Sequence, residues 1–142
     1  NRGAYLRRAS VYVLKGDYYQ AIGAFEQIIR DNPQETGAYN KLAWLLATCP
    51  QAGFRNGPKA VELGTKACDI TQWHFGSYED TLATAYALTG DFASAVKLEK
   101  LALDYKSPDD VKKDENNRLA LYESDHIYQV DKYDPKFSMF IN

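Results

Sequence analysis

At 142 residues, 45% hydrophobic and 13% aromatic, the chain has the makings of one packed domain. Its net charge of −2 and pI near 5.7 give no general affinity for polyanions, so nucleic acid is not an expected partner. The longest strongly apolar run, Leu42 to Thr48, falls far short of the roughly 20 residues that span a bilayer.

The first helix is predicted from about Gly3 to Lys15 and the second from Tyr18 to Arg30, with Ala21, Phe25 and Ile28 on one face. Asp31-Asn32-Pro33 closes it, because the residue before Pro avoids helical dihedrals. A third helix runs from about Glu35 to Thr48 and stops at Cys49-Pro50. Asn56-Gly57-Pro58 opens a fourth, since Pro suits a first helical turn. Its inner side carries Ala60, Leu63, Gly64, Ala67 and Ile70, and Gly64 implies a close backbone approach or a gap filled by Phe54 or Trp73. Ser77 reads as the N-cap of the fifth helix, which ends at Gly90, and Asp91 as the cap of the sixth, with Ala95, Leu98 and Ala102 inward. Ser107-Pro108-Asp109-Asp110 starts a seventh, reaching about Glu123 with Val111, Leu119 and Tyr122 as its packing face. Beyond Ser124 the periodicity ends. Tyr128, Tyr133, Phe137, Phe140 and Ile141 are scattered through a polar tail expected to be extended or locally ordered.

Two of these hairpins share one template. Ala9-x-x-Tyr12, Gly16-Asp17-Tyr18 and Ala21 recur at identical spacing as Ala83-x-x-Tyr86, Gly90-Asp91-Phe92 and Ala95. This pattern resembles the tetratricopeptide repeat (TPR), a helix-turn-helix unit of about 34 residues. The first repeat (about 2–35) matches at Tyr5, Ala9, Tyr12, Gly16, Asp17, Tyr18, Ala21, Phe25, Ile28 and Pro33, and departs at Arg8. The third (about 77–107) matches at Leu82, Ala83, Tyr86, Gly90, Asp91, Phe92, Ala95 and Ala102, and departs at Glu99, where an aromatic is usual. The middle repeat (about 36–72) carries about six extra residues, in the turn from Cys49 to Pro58. The string from Leu42 to Pro50, with Ala60-Val61-Glu62 and Asp80-Thr81-Leu82, is similar to a bacterial TPR variant with an enlarged middle turn. The resemblance implies an all-α, right-handed α-solenoid of three helix pairs over residues 1–124. A C-terminal capping helix at about 108–123 and an irregular tail at 125–142 complete it.

Candidate chemistry is sparse. His74 and His126 have no Cys or carboxylate at metal-ligand spacing. Cys49 ends one helix while Cys68 lies about 15 Å further along the next, beyond the reach of a disulfide. Free thiols favour the cytoplasm, with the periplasm or secretion open if a leader has been removed. The chain begins at Asn1 rather than Met, the mark of a processed product or an excised fragment. No cofactor, metal or catalytic constellation is expected, and Asp109-Asp110 with Asp114-Glu115 read as a solvated acidic face.

What the TPR resemblance implies instead is a concave peptide-binding groove lined by the first helix of each pair. In this chain those residues are Leu6, Arg7, Ser10 and Leu14, then Asn40, Lys41, Trp44 and Thr48, then Asp80, Thr81, Thr84 and Leu88. Trp44 beside Lys41 and Asn40 has the composition of a hot spot. The Lys/Asn carboxylate clamp of some TPR modules is mostly missing, because Leu6, Ser10, Ser77 and Thr81 replace it. Arg7 and Lys41 still favour an acidic or carboxylate-bearing segment. The expected function is therefore a non-enzymatic scaffold for a protein or peptide partner, or the interaction arm of a larger enzyme. The tail is a candidate occupant of the groove, in its own chain or as a link in a homo-dimer. Its loss is expected to leave the domain folded.

Overall fold

The structure, a computed structural model, describes residues 1–134 and 139–140. Among these residues seven helices follow in order: α1 (Arg2–Leu14), α2 (Tyr18–Asp31), α3 (Thr36–Thr48), α4 (Gly57–Ile70), α5 (Gly76–Leu88), α6 (Phe92–Leu103) and α7 (Asp109–Glu123). A single 3₁₀ turn, Ala52–Phe54, sits between α3 and α4, and no strand occurs among the described residues. Each helix packs on its sequence neighbours, and α3 also packs on α5, so the chain is an all-α helical-repeat stack of three pairs with α7 laid on the last.

The repeated Gly-Asp turn has a definite hydrogen-bond basis. Asp17 N donates to Tyr12 O at 2.9 Å and Gly16 N to Val13 O at 3.0 Å. Asp91 N to Tyr86 O at 3.1 Å and Gly90 N to Ala87 O at 3.0 Å repeat that pair of bonds. This is the Schellman ending, which needs a left-handed residue just past the helix. Gly16 (φ 82°) and Gly90 (φ 86°) provide it. Two further helices end the same way without glycine: Trp73 N reaches Cys68 O and His126 N reaches Leu121 O, with Gln72 and Asp125 left-handed.

The helix starts differ from expectation at two places. α5 begins at Gly76 after Phe75, with no side-chain cap, rather than at Ser77. Gly76 lies so close to the end of α6 that a Cβ there would come within 3.0 Å of Ala102 O and of the Tyr105 ring. Pro108, not Ser107, holds the cap position of α7, and the Ser107 hydroxyl is buried without a partner. Lys112 Nζ does the tying there, donating to Leu103 O and Tyr105 O and so satisfying the end of α6. Asn56 and Asp91 cap as expected, accepting from Lys59 N and Ser94 N.

The Gly64 position resolves as close approach rather than as a gap. A Cβ there would meet Leu82 Cδ1 at 3.2 Å, so α5 itself fills the space. Phe54 packs instead on Tyr18, their ring centres 5.9 Å apart. Arg55 Nε donates to Cys49 O and Asn56 N to Leu46 O, fastening the enlarged turn to the end of α3.

α3 is the central helix, and every residue from Ala38 to Cys49 is buried. Its neighbours on the two sides differ. α3 and α5 lie against each other, whereas α1 and α3 barely touch. Tyr133 and Phe140 of the tail complete this part of the core, in one cluster with Ala9, Val13, Tyr18 and Phe25. Phe140 is only 2% exposed. The described residues of the tail form no helix or strand, but they pack as part of the body. Phe137 and Ile141 lie outside the described residues.

Candidate functional site

The α3 wall of the expected groove is covered by the chain's own tail. Lys41 Nζ donates to Met139 O and stands 5.8 Å from the Phe140 ring centre. The Trp44 ring packs on Tyr128 at 5.7 Å. Thr48 Oγ1 donates to Trp44 O at 2.7 Å, so its contact with the Tyr133 hydroxyl at 2.9 Å is one that Tyr133 donates. Tyr133 also meets Tyr18 and Phe140 edge-on, and Phe140 meets Phe25. Trp44, expected to face an open groove, is 8% exposed because Tyr128 and Arg118 cover it. Asn40 is buried as well, its Oδ1 without a partner.

The α5 wall is covered by α7. Arg118 Nε and Nη2 each donate to an Asp80 oxygen at 2.9 Å, a two-pronged ion pair. The Tyr122 hydroxyl donates to Thr84 Oγ1 at 2.8 Å, and Thr84 passes its own proton to Asp80 O. Thr81 turns back onto Ser77 O, and Leu88 is half-buried. Of the expected lining on α1, Ser10 is buried, Leu6 and Leu14 are half-buried, and Arg7 faces solvent. The expected lining on α3 and α5 is therefore covered by the tail and by α7 rather than open as a channel.

Three acids and one base meet where α5, α6 and α7 converge. Asp80, Glu99 and Glu115 bring carboxylate oxygens within 4.8 Å of one another. Arg118 Nε is 3.6 Å from Glu99 Oε1 as well as bonded to Asp80. Glu99 is 0% exposed, and neither of its oxygens has a hydrogen-bond partner. Burial and then the neighbouring Asp80 push its carboxyl far above the usual range, and the same two causes raise Glu115. Burial works against the Arg118 charge, but Asp80 and Glu99 more than offset it and hold the guanidinium protonated. Arg118 also lies over the Trp44 and Tyr128 rings, at 5.4 and 5.1 Å from their centres. One side chain thus joins the acid cluster to the tail.

Sequence reasoning missed this cluster. The signal for it was Glu99 standing where the repeat template has an aromatic residue. A second signal was the spacing of Glu115, Arg118 and Tyr122, which places them on one face of α7. That face, rather than Val111 and Leu119, is what packs: Val111 is exposed and Leu119 only half-buried. Of the expected acidic surface, Asp109, Asp110 and Asp114 are exposed while Glu115 is buried.

The remaining candidates are quiet. Cys49 and Cys68 are buried and in no disulfide. Burial raises the Cys49 thiol, and burial with Glu79 and Asp69 pushes Cys68 up to about 12. Both thiols are therefore neutral and poorly nucleophilic near neutral pH. His74 and His126 are exposed and apart from the acid cluster. A cleft of about 750 Å³ lies between α1 and α2, lined by Arg2, Tyr5, Arg8, Tyr12 and Tyr19 among others. Tyr5 and Tyr19 are both exposed, although Tyr5 stands at a repeat-template position. Among the described residues, no helix is long and apolar enough to cross a membrane. No protein-family model matches the chain, and no curated protein is significantly similar to it.

Proposed function

We propose that this protein is a non-enzymatic interaction module of the TPR kind. Its α3 wall binds an extended polypeptide segment, and its own C-terminal tail is the resident occupant of that wall. The observation that carries this reading is the way the tail is held. A lysine grips a main-chain carbonyl, Lys41 to Met139, while Tyr128, Tyr133 and Phe140 seat their rings against Trp44, Thr48 and Phe25. Main-chain capture for affinity and side-chain seats for selectivity are how extended segments are recognised. A partner segment of similar chemistry would exchange for the tail, with Arg7 exposed at the α1 end to meet an acidic flank.

The test uses the intact chain and a fluorescein-labelled peptide of residues 126–142. Phe140→Ala, which loosens the resident tail, should bind the peptide in trans more tightly than the wild type by anisotropy. Adding Lys41→Ala should weaken that binding again. If Phe140→Ala retains its helical circular dichroism yet captures no peptide, the wall is a core surface and not a binding surface.

A further inference from the structure

We infer that Asp80, Glu99 and Glu115 form an oxygen-only site for one hard divalent cation at the junction of α5, α6 and α7. The three carboxylates come from three different helices, and their oxygens lie within 4.8 Å of one another. With all groups ionised, three acids against Arg118 leave two negative charges in a place removed from water, the charge that a single divalent ion neutralises. The arrangement is not a chance meeting of surface acids. Glu99 and Glu115 are both buried, Glu99 Oε1 and Oε2 and Glu115 Oε1 have no hydrogen-bond partner, and one oxygen of each acid lies in the cluster. Buried acceptors left unpaired are costly, and natural interiors rarely keep them without an occupant.

Arg118 does not fill that role. Its Nε and Nη2 are committed to Asp80, and Glu99 is reached only at 3.6 Å. Each Asp80 oxygen has a second lone pair, so the guanidinium on one side leaves acceptor capacity on the other. The donor set names the class of ion. With no imidazole or thiolate present, the site suits Mg²⁺, Mn²⁺ or Ca²⁺ rather than zinc or copper. A cation there would fasten α7 to the last helix pair and hold Arg118 in place under Trp44 and Tyr128.

The experiment is a Mn²⁺ titration of the intact protein at pH 8, followed by the loss of the free-ion EPR signal and by thermal melting. Saturable uptake of about one ion per chain with a raised Tm is expected, because an ion bound only by the native state stabilises it. Glu99→Gln and Glu115→Gln should each weaken uptake at least about tenfold. Asp110→Asn, an exposed acid on the same helix, should leave uptake unchanged. Glu99→Gln should also melt higher than the metal-free wild type, since its neutral side chain needs no proton taken up on folding at pH 8. If the wild type takes up no Mn²⁺ at millimolar concentration, or if both glutamine variants take it up as the wild type does, protons rather than a metal neutralise the cluster and the proposal fails.

Discussion

Glu79 shows how far burial outweighs hydrogen bonding at a single residue. It lies at the start of α5, is 0% exposed, and neither carboxylate oxygen has a hydrogen-bond partner. The nearby Tyr105 hydroxyl donates instead to Trp73 O. Burial, the largest influence, raises the Glu79 carboxyl above its ordinary 4.5. An acid with a raised folded value binds more protons folded than unfolded over the window between the two values. Its contribution to stability is therefore greatest below about pH 4.5 and declines as pH climbs through the raised value. Glu79→Gln should remove that decline. The variant is expected to be more stable than the wild type at pH 7, with the difference shrinking toward pH 4, as urea unfolding at several pH values would show. A destabilised Glu79→Gln at pH 7 would mean that the carboxylate is ionised and paired in the native state.

At the scale of the element, four helices share one ending and differ in what fills its left-handed position. Gly16 and Gly90 adopt φ near +80° with no Cβ to crowd the carbonyl. Gln72 and Asp125 reach φ 55° and 59° with side chains attached. A left-handed conformation costs a non-glycine residue about 1–2 kcal/mol. Gly90→Ala should therefore lower stability by about that amount, whereas Gln72→Gly, at an exposed site, should raise it by up to about 1 kcal/mol. Chemical denaturation of the two variants gives the comparison, and equal effects of one sign would contradict the assignment. The same element-level logic explains the helix starts. Where a side-chain cap is free to form, as at Asn56 and Asp91, the sequence signal holds. Where a neighbouring helix crowds the start, as at Gly76, packing sets the boundary.

For the whole molecule, the tail decides what kind of object the helical stack becomes. Without Tyr133 and Phe140 the contact between α1 and α3 is slight, and the first helix pair is joined to the rest mainly through α2. With them, a single core runs from Ala9 through Phe25 to Trp44. The expectation that residues after Ser124 are dispensable is therefore corrected: they bury aromatic rings against three helices. Phe140→Ala should cost roughly 3–5 kcal/mol, as for other buried aromatic truncations. The loss should show first in α1 and α2, whose amide protection in hydrogen exchange should fall before that of α5 and α6. Uniform loss across all helices would show that the tail is not the main tie of the first pair.

The chain's local chemistry by itself determined the seven helices, their order and their pairing. Hydrophobic periodicity, proline and the Gly-Asp turns act within a few residues of one another, and each of these signals was legible one segment at a time. The face of α3 that carries Lys41, Trp44 and Thr48 was legible for the same reason, since helical spacing alone sets it. What covers that side was not. Tyr133 meets Thr48 across 85 positions of chain, and Arg118 meets Asp80 across 38, so nothing in the neighbourhood of either residue announces its partner. Only the folded arrangement of α7 and the tail brought three acids and an arginine out of water together. The stability of such a cluster depends on mutual distance and exclusion of solvent, and both arise when remote segments pack.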